Sequence, residues 1–313
     1  FTSSLFTLYV FFGVIVGIGN GFGYSAPTPV GSKWFPDKRG LVVGLLVGGY
    51  GGGQAIFGTV ARYWMIPSLG WRTTFQLLAV VFFVMTMIGT VLLRNPPAGY
   101  RPPNWTPPTA AMAARSEYTT REMLATPAFY FLWAAFCLGT AAGQMTISQL
   151  VPFATAAGLG ASVATISLVV SSVGNASGRI LSGWMSDTLG RLRTLKTMVL
   201  LSAVAMPALF LLREQVFPFY ALVAVVYYCY GTQLSVFAST TADLYGTKNL
   251  GLNYGVLFTA WGAAGILGPS IAGRVYDQFG DYRYAFFAAA VFALLAFASL
   301  SRAKAPSRPV VPT

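Results

Sequence analysis

The chain has 313 residues, of which 55% are hydrophobic and only 9% are charged, and its mean hydropathy is +0.63. Soluble domains carry roughly 25% charged residues, so this composition excludes an ordinary soluble enzyme and indicates a helical protein that crosses a membrane several times. The net charge of +12 does not indicate nucleic-acid binding, because the basic residues lie in short connections between apolar stretches. Histidine is absent and both cysteines, Cys137 and Cys229, lie inside apolar stretches, so we expect no metal site, no disulfide and no cofactor.

Nine apolar stretches are long enough to cross a bilayer, since a spanning helix needs about 20 residues. The predicted spans are 5–32, 40–62, 73–93, 127–151, 163–186, 194–212, 217–242, 250–273 and 284–301. Of the 20 lysines and arginines, 14 lie in connections on one side, five lie on the other and Arg179 lies inside a span. The excess marks the cytoplasmic side. This predicts an all-α, multi-pass protein of the cell (inner or plasma) membrane with a cytoplasmic C-terminus.

An internal repeat predicts two related halves. Residues 39–53 (RGLVVGLLVGGYGGG) align with residues 250–264 (LGLNYGVLFTAWGAA), with Gly40 opposite Gly251 and Tyr50 opposite Trp261. The first three spans therefore correspond to the last three, and a complete pattern needs three further spans before Phe1. We expect nine transmembrane helices of a total of twelve. The predicted divisions are 1–93 (last three helices of the N-terminal half), 94–126 (cytoplasmic proline-rich linker), 127–301 (six-helix C-terminal half) and 302–313 (cytoplasmic tail).

Arg179 is the only charged residue that the sequence places deep inside a predicted span. It lies eight residues from Asp187, which is about 12 Å along a helix and close to the middle of the hydrocarbon core. A charge at this depth indicates a functional site, and with no acidic partner at the same depth we expect an anionic substrate to bind it. An alternative is a gate residue that extends to the surface. Ser172 and Asn175 share a helical face with Arg179, which predicts a polar cavity, or else hydrogen bonds between helices.

Two motifs resemble known transporters. GWMSDTLGR at 183–191 is similar to the cytoplasmic loop motif of the major facilitator superfamily, and WFPDKRG at 34–40 resembles the oxalate/formate antiporter family, which is related to monocarboxylate transporters. The pair Asn175 and Arg179 matches the place where those transporters carry their substrate-binding arginine. The resemblance implies a helical bundle of that superfamily that transports a small carboxylate by alternating access.

One position departs from the antiporter pattern. Where those proteins carry a second cation, a lysine, this chain has Trp261. A dicarboxylate needs two charge partners in a low-dielectric cavity, so the substitution favours a monocarboxylate such as lactate, pyruvate or formate. Tyr50, Trp261 and Tyr230 lie near the predicted mid-membrane depth, and we expect them to surround the apolar part of the substrate or, alternatively, to serve only as packing residues.

The loop motif also predicts a conformational latch. Asp187, paired with Arg191, is expected to meet the positive end of the helix that begins near Lys38 and Arg39. Gly183 and Gly190 belong to the same motif by resemblance. The alternative is an exposed salt bridge that contributes little.

The sequence thus predicts a secondary active transporter of small carboxylates, coupled to protons or working by exchange, and not an enzyme. Its expected partners are the carboxylate anion, the lipid bilayer and, where transport is symport, protons; we expect a monomer that binds no nucleic acid. Two alternatives remain at this point: an oxalate/formate antiporter, and a carboxylate sensor that binds without transporting.

Overall fold

The computed structural model describes residues 4–97, 99–103 and 117–306, and every regular element in these ranges is a helix. Parts of the predicted linker (98 and 104–116) and of the predicted tail (307–313) lie outside the described residues. The main helices are α1 (Leu5–Trp34), α2 (Arg39–Gly53), α3 (Ile66–Leu92), α4 (Thr120–Leu124), α5 (Pro127–Ala156), α6 (Ala161–Leu189), α7 (Arg191–Leu211), α8 (Val216–Tyr245), α9 (Leu250–Phe279) and α10 (Arg283–Arg302). Wider helical turns over Gln54–Gly58 and Ala61–Met65 connect α2 to α3.

The predicted all-helical membrane fold is confirmed, with one difference in how two spans are separated. In the part of the chain that the structure describes, seven helical ranges are long and apolar enough to cross a membrane. One of them, Arg39–Leu92, has 54 residues and covers nearly all of two predicted spans. Instead of a loop, a single residue interrupts this range: Gly70 has φ 75° and ψ 161°, a conformation that glycine adopts without steric cost. The helix α6 is 29 residues long but is not among the seven, because its polar face reduces its apolar character.

The buried core lies mainly among α5 to α10. The helix α8 is the most enclosed, and even its polar residues Gln233, Ser235 and Thr240 are at most 1% exposed. By contrast, α3 buries only Thr74 and exposes its apolar side chains, as a helix that faces lipid does.

Glycines bring α2 against α6 over several turns. A Cβ atom added at Gly40 would overlap the carbonyl oxygen of Gly183, and one added at Gly44 would overlap the carbonyl oxygen of Arg179. At Gly48 a Cβ atom would lie 3.1 Å from the Ile180 side chain. Small residues at spacings of four allow two helix backbones to approach closely in a membrane. This seam therefore places the backbone of α2 directly beside Arg179.

The end of the predicted linker packs on the turn between α8 and α9. The carboxylate of Glu117 accepts hydrogen bonds from the backbone N–H groups of Thr247 and Lys248, at 3.3 and 2.7 Å. The carbonyl oxygen of Tyr118 accepts one from the Asn253 side chain at 3.0 Å. We call the end of the bundle where these contacts lie the linker end; Asp187 and Asp243 lie at the same end.

Candidate functional site

Arg179 is buried, with 7% of its surface exposed. Its Nε donates to Oδ1 of Asn175 at 2.8 Å, one turn earlier in α6, and its Nη1 donates to the backbone carbonyl oxygen of Val47 in α2 at 2.6 Å. Among the residues that the structure describes, no Asp or Glu forms a salt bridge with Arg179. The guanidinium thus keeps a whole positive charge inside the bundle and holds it with two neutral acceptors.

A buried charge without a counterion is costly, because the neutral hydrogen bonds offset only part of the lost hydration. An anion that reaches Arg179 would recover this cost and form charge-assisted hydrogen bonds, which are about twice as strong as neutral ones. The arrangement is therefore chemically suited to binding an anion.

The predicted aromatic residues form a connected group. The indole Nε1 of Trp261 in α9 donates to the hydroxyl of Tyr230 in α8 at 2.7 Å. The Trp261 ring stacks on Phe258 with centroids 5.2 Å apart, Phe258 stacks on Tyr24 of α1 at 4.7 Å, and Tyr24 meets the edge of Tyr50 at 5.0 Å. Four helices, α1, α2, α8 and α9, therefore contribute to one aromatic wall.

Tyr24 and Phe258 complete this wall, and the sequence analysis missed both. Tyr24 is 8% exposed, and its hydroxyl donates to the carbonyl oxygen of Leu234 at 3.3 Å. Tyr254 donates to the same oxygen at 3.2 Å. The available signal was that Tyr24 directly follows the glycine-rich stretch 17–23, as an aromatic residue at a depth similar to that of Tyr50.

Of the two expected roles, an interhelical hydrogen bond is seen at Ser182, whereas Ser172 bonds only within its own helix. Ser172 is half-buried and donates to the carbonyl oxygen of Leu168 in its own helix at 2.9 Å. Ser182 forms a hydrogen bond of 2.6 Å with Thr232 of α8, so it holds two helices together. The structure therefore brings Asn175 to Arg179, but it shows no contact between Ser172 and the other predicted site residues.

At the linker end, the side chain of Asp187, near the end of α6, packs against the first turn of α2. Its two carboxylate oxygens accept hydrogen bonds from the backbone N–H groups of Gly40 and Leu41, at 2.9 and 3.0 Å. Arg191 contacts Asp187 at 2.6 Å. Gly190, with φ 91°, forms the tight turn that leads directly into Arg191, and Gly183 allows the close approach of Gly40.

The same cluster contains a carboxylate that the sequence analysis did not select. Asp243 of α8 accepts from Nε of Arg191 at 2.9 Å and from Nη1 of Arg39 at 3.1 Å. The predicted latch residue Lys38 is exposed, and its side chain has no hydrogen bond or ion pair within the described part of the chain. The cluster thus connects α2 to α8 through Arg39, not Lys38, and connects α2 to α6 through Asp187.

Comparison with known proteins identifies the family. The model of the Major Facilitator Superfamily matches residues 1–228 and again 141–313. The chain is 28% identical to the oxalate:formate antiporter of Oxalobacter formigenes over 94% of this chain and 68% of that protein. It is 28% identical to apicoplast pyruvate carrier 1 of Toxoplasma gondii over 86% of this chain and 59% of that carrier, and 25% identical to monocarboxylate transporter 12 of Xenopus laevis over 91% and 66%.

These relatives are longer than the chain, which spans 59 to 68% of their lengths. The family match nevertheless extends over the whole chain and agrees with a bundle of apolar helices. The chain belongs to the Major Facilitator Superfamily, whose members are membrane transporters and not enzymes.

Proposed function

We propose that this chain carries small monocarboxylates, such as lactate, pyruvate or formate, across a cell membrane by alternating access. The observation that carries the proposal is the buried guanidinium of Arg179, bound by two neutral acceptors and by no described carboxylate. A substrate carboxylate supplies the counter-charge through two parallel hydrogen bonds. The names of the relatives, an oxalate:formate antiporter, a pyruvate carrier and monocarboxylate transporters, support this substrate class.

The neighbours of Arg179 have distinct roles in this proposal. Asn175 orients the guanidinium through its bond to Nε. The wall that contains Tyr230, Trp261 and Tyr50 surrounds the small apolar part of the substrate. Ser172 lies on the same face of α6 as Asn175 and Arg179 and offers the substrate a further polar contact.

The second candidate is exchange of oxalate and formate. The similarity to the oxalate:formate antiporter favours it. Against it stands Trp261, because its indole N–H donates to Tyr230 where oxalate would need a second cation. We therefore place monocarboxylates first.

The membrane potential restricts how transport of the carboxylate can be coupled to other ions. A lone anion moves against a membrane potential at about 2.3 kcal/mol per 100 mV, and either proton symport or anion exchange removes this cost. The sequence places no Asp or Glu inside the nine predicted spans, so symport requires a proton carrier outside them. Exchange needs no such group.

Alternating access requires a contact that closes one side. We propose that Asp187, Arg191, Asp243 and Arg39 form this latch, with Gly183 and Gly190 as its close-packing and turn residues. By the distribution of basic residues, the linker end is the cytoplasmic end, so the described state is closed to the cytoplasm.

The test is uptake of labelled lactate, pyruvate, formate and oxalate by the protein in liposomes, with and without a pH gradient. Arg179→Ala is expected to abolish uptake, whereas Arg274→Ala, at an exposed arginine, is expected to leave it unchanged. Uptake by the Arg179→Ala variant at the level of the unmodified protein would overturn the site. Binding of carboxylate without counterflow would instead identify a sensor.

A further inference from the structure

Val47 and Gly51 are one turn apart on α2 and both face the guanidinium of Arg179. The Val47 carbonyl oxygen lies 2.6 Å from Nη1. A Cβ atom added at Gly51 would lie 3.5 Å from Cζ, 3.6 Å from Nε and 3.7 Å from Nη1. A point almost equally distant from these three atoms lies over the flat face of the guanidinium. Val47 therefore occupies an edge of the group, and Gly51 leaves its face uncovered.

The edge is where a carboxylate binds, because the N–H groups of arginine point outward in the plane of the guanidinium. A backbone carbonyl is a weaker acceptor than a carboxylate, and it carries no charge to balance the arginine. An anion that enters the site can therefore take the N–H group from Val47, whereas a neutral molecule gains nothing by the exchange.

We propose that the Val47 carbonyl and the substrate carboxylate compete for the same N–H group of Arg179, and that Gly51 is the positioning residue that lets the guanidinium reach either partner. This inference rests on the function proposed above. The bond to Val47 ties α6 to α2, and an anion that takes this N–H group from Val47 releases that tie. Movement of the halves then depends on substrate, which is the behaviour that exchange requires.

The glycines of α2 provide a matched test at Gly51. Alanine adds only the Cβ atom at ordinary contact distance, whereas the methyl groups of valine would press on the guanidinium. Gly52, the next residue, has nothing within 4 Å of a Cβ position, so Gly52→Val is the control for the loss of a glycine and for a branched residue in this helix. In lactate uptake we expect Gly51→Val to raise KM by about tenfold or more with little change in the saturated rate. Gly51→Ala should raise KM less than Gly51→Val does, and Gly52→Val should stay within about twofold of the unmodified protein.

The release of α2 from α6 is measured as the distance between two spin labels, one at Gly49 on α2 and one at Leu181 on α6. Both positions are exposed. Lactate is expected to widen the distance distribution between the labels, and lactamide, its neutral amide, is expected to leave it unchanged. The same distribution with and without lactate, or equal KM values for Gly51→Val and Gly52→Val, would overturn this inference. If Arg179→Ala is inactive in those same preparations, the proposed function survives; full activity of Arg179→Ala would instead remove the proposed function itself.

Discussion

Arg191 donates from Nε to Oδ2 of Asp243 at 2.9 Å and thereby ties the turn after α6 to the end of α8. The other oxygen of Asp243 accepts from Arg39 at the start of α2, at 3.1 Å. The Arg191 side chain is 12% exposed, and those of Arg39 and Asp243 are 22% and 23% exposed. All three charged groups are therefore largely shielded from solvent. One carboxylate therefore joins helices from both sides of the seam between α2 and α6.

Replacing Asp243 by Asn should weaken this latch. The amide keeps the shape of the side chain but lacks the charge, and a hydrogen bond to a charged partner contributes about 1.5–3 kcal/mol. We expect the population open at the linker end to increase by more than tenfold. The measurement is the reaction of a cysteine at Ser32, which is fully buried in α1, with a membrane-impermeant thiol reagent.

Asp243 lies 13 residues from Tyr230, or about 20 Å along α8, so the KM for substrate should remain within about twofold. The control is Asp277→Asn, an exposed acid near the opposite end of α9. Equal thiol reactivity in the two variants would contradict the latch.

Gly183→Ala should destabilise the seam itself. Its Cβ atom would overlap the carbonyl oxygen of Gly40, which forces the two backbones apart at an estimated cost of about 1–3 kcal/mol. Gly255→Ala, where nothing lies within 4 Å of the added atom, should be neutral or slightly stabilising, because alanine is the better helix former. Thermal unfolding in detergent measures both, and equal midpoints would show that the seam does not need glycine at 183.

The sequence predicted those features whose signal is local. Asp187 and Arg191 are four residues apart and next to a helix end, and Arg179 stands out because the rest of its span is uncharged. Asp243 and Tyr24 could not be selected in this way. Their roles depend on contacts across 204 and 210 residues, Arg39 with Asp243 and Tyr24 with Leu234, which follow from helix packing and leave no periodic pattern.

The same limit explains why Lys38 was selected alongside Arg39. Adjacent residues at a helix start look equivalent in sequence, but successive side chains are turned by about 100° around the axis. Arg39 is turned towards Asp243, and Lys38 is turned to the exposed side.

Replacing Asn175 by Asp should weaken the binding of substrate. Oδ1 of Asn175 lies 2.8 Å from Nε of Arg179, so a carboxylate at that position would form an internal ion pair and neutralise the charge that we propose attracts substrate. We expect the KM for lactate to rise by at least about tenfold. Asn175→Ser, which retains a neutral acceptor, should lose less. Higher affinity in the Asp variant than in the Ser variant would contradict a role for the net charge at Arg179.

Replacing Trp261 by Lys should move the preference from monocarboxylates towards oxalate. The Trp261 side chain reaches Tyr230, whose neighbour Gly231 packs against Asn175, the partner of Arg179. A lysine at 261 therefore adds a second cation to the same region. Two cations repel one another in a low-dielectric cavity, and a dianion relieves that repulsion better than a monoanion does. We expect the ratio of oxalate to lactate uptake to increase by about tenfold or more. Trp261→Phe, which removes the bond to Tyr230 without adding charge, is the control. If the Lys and Phe variants show the same ratio, the charge at 261 does not set the choice between one and two carboxylates.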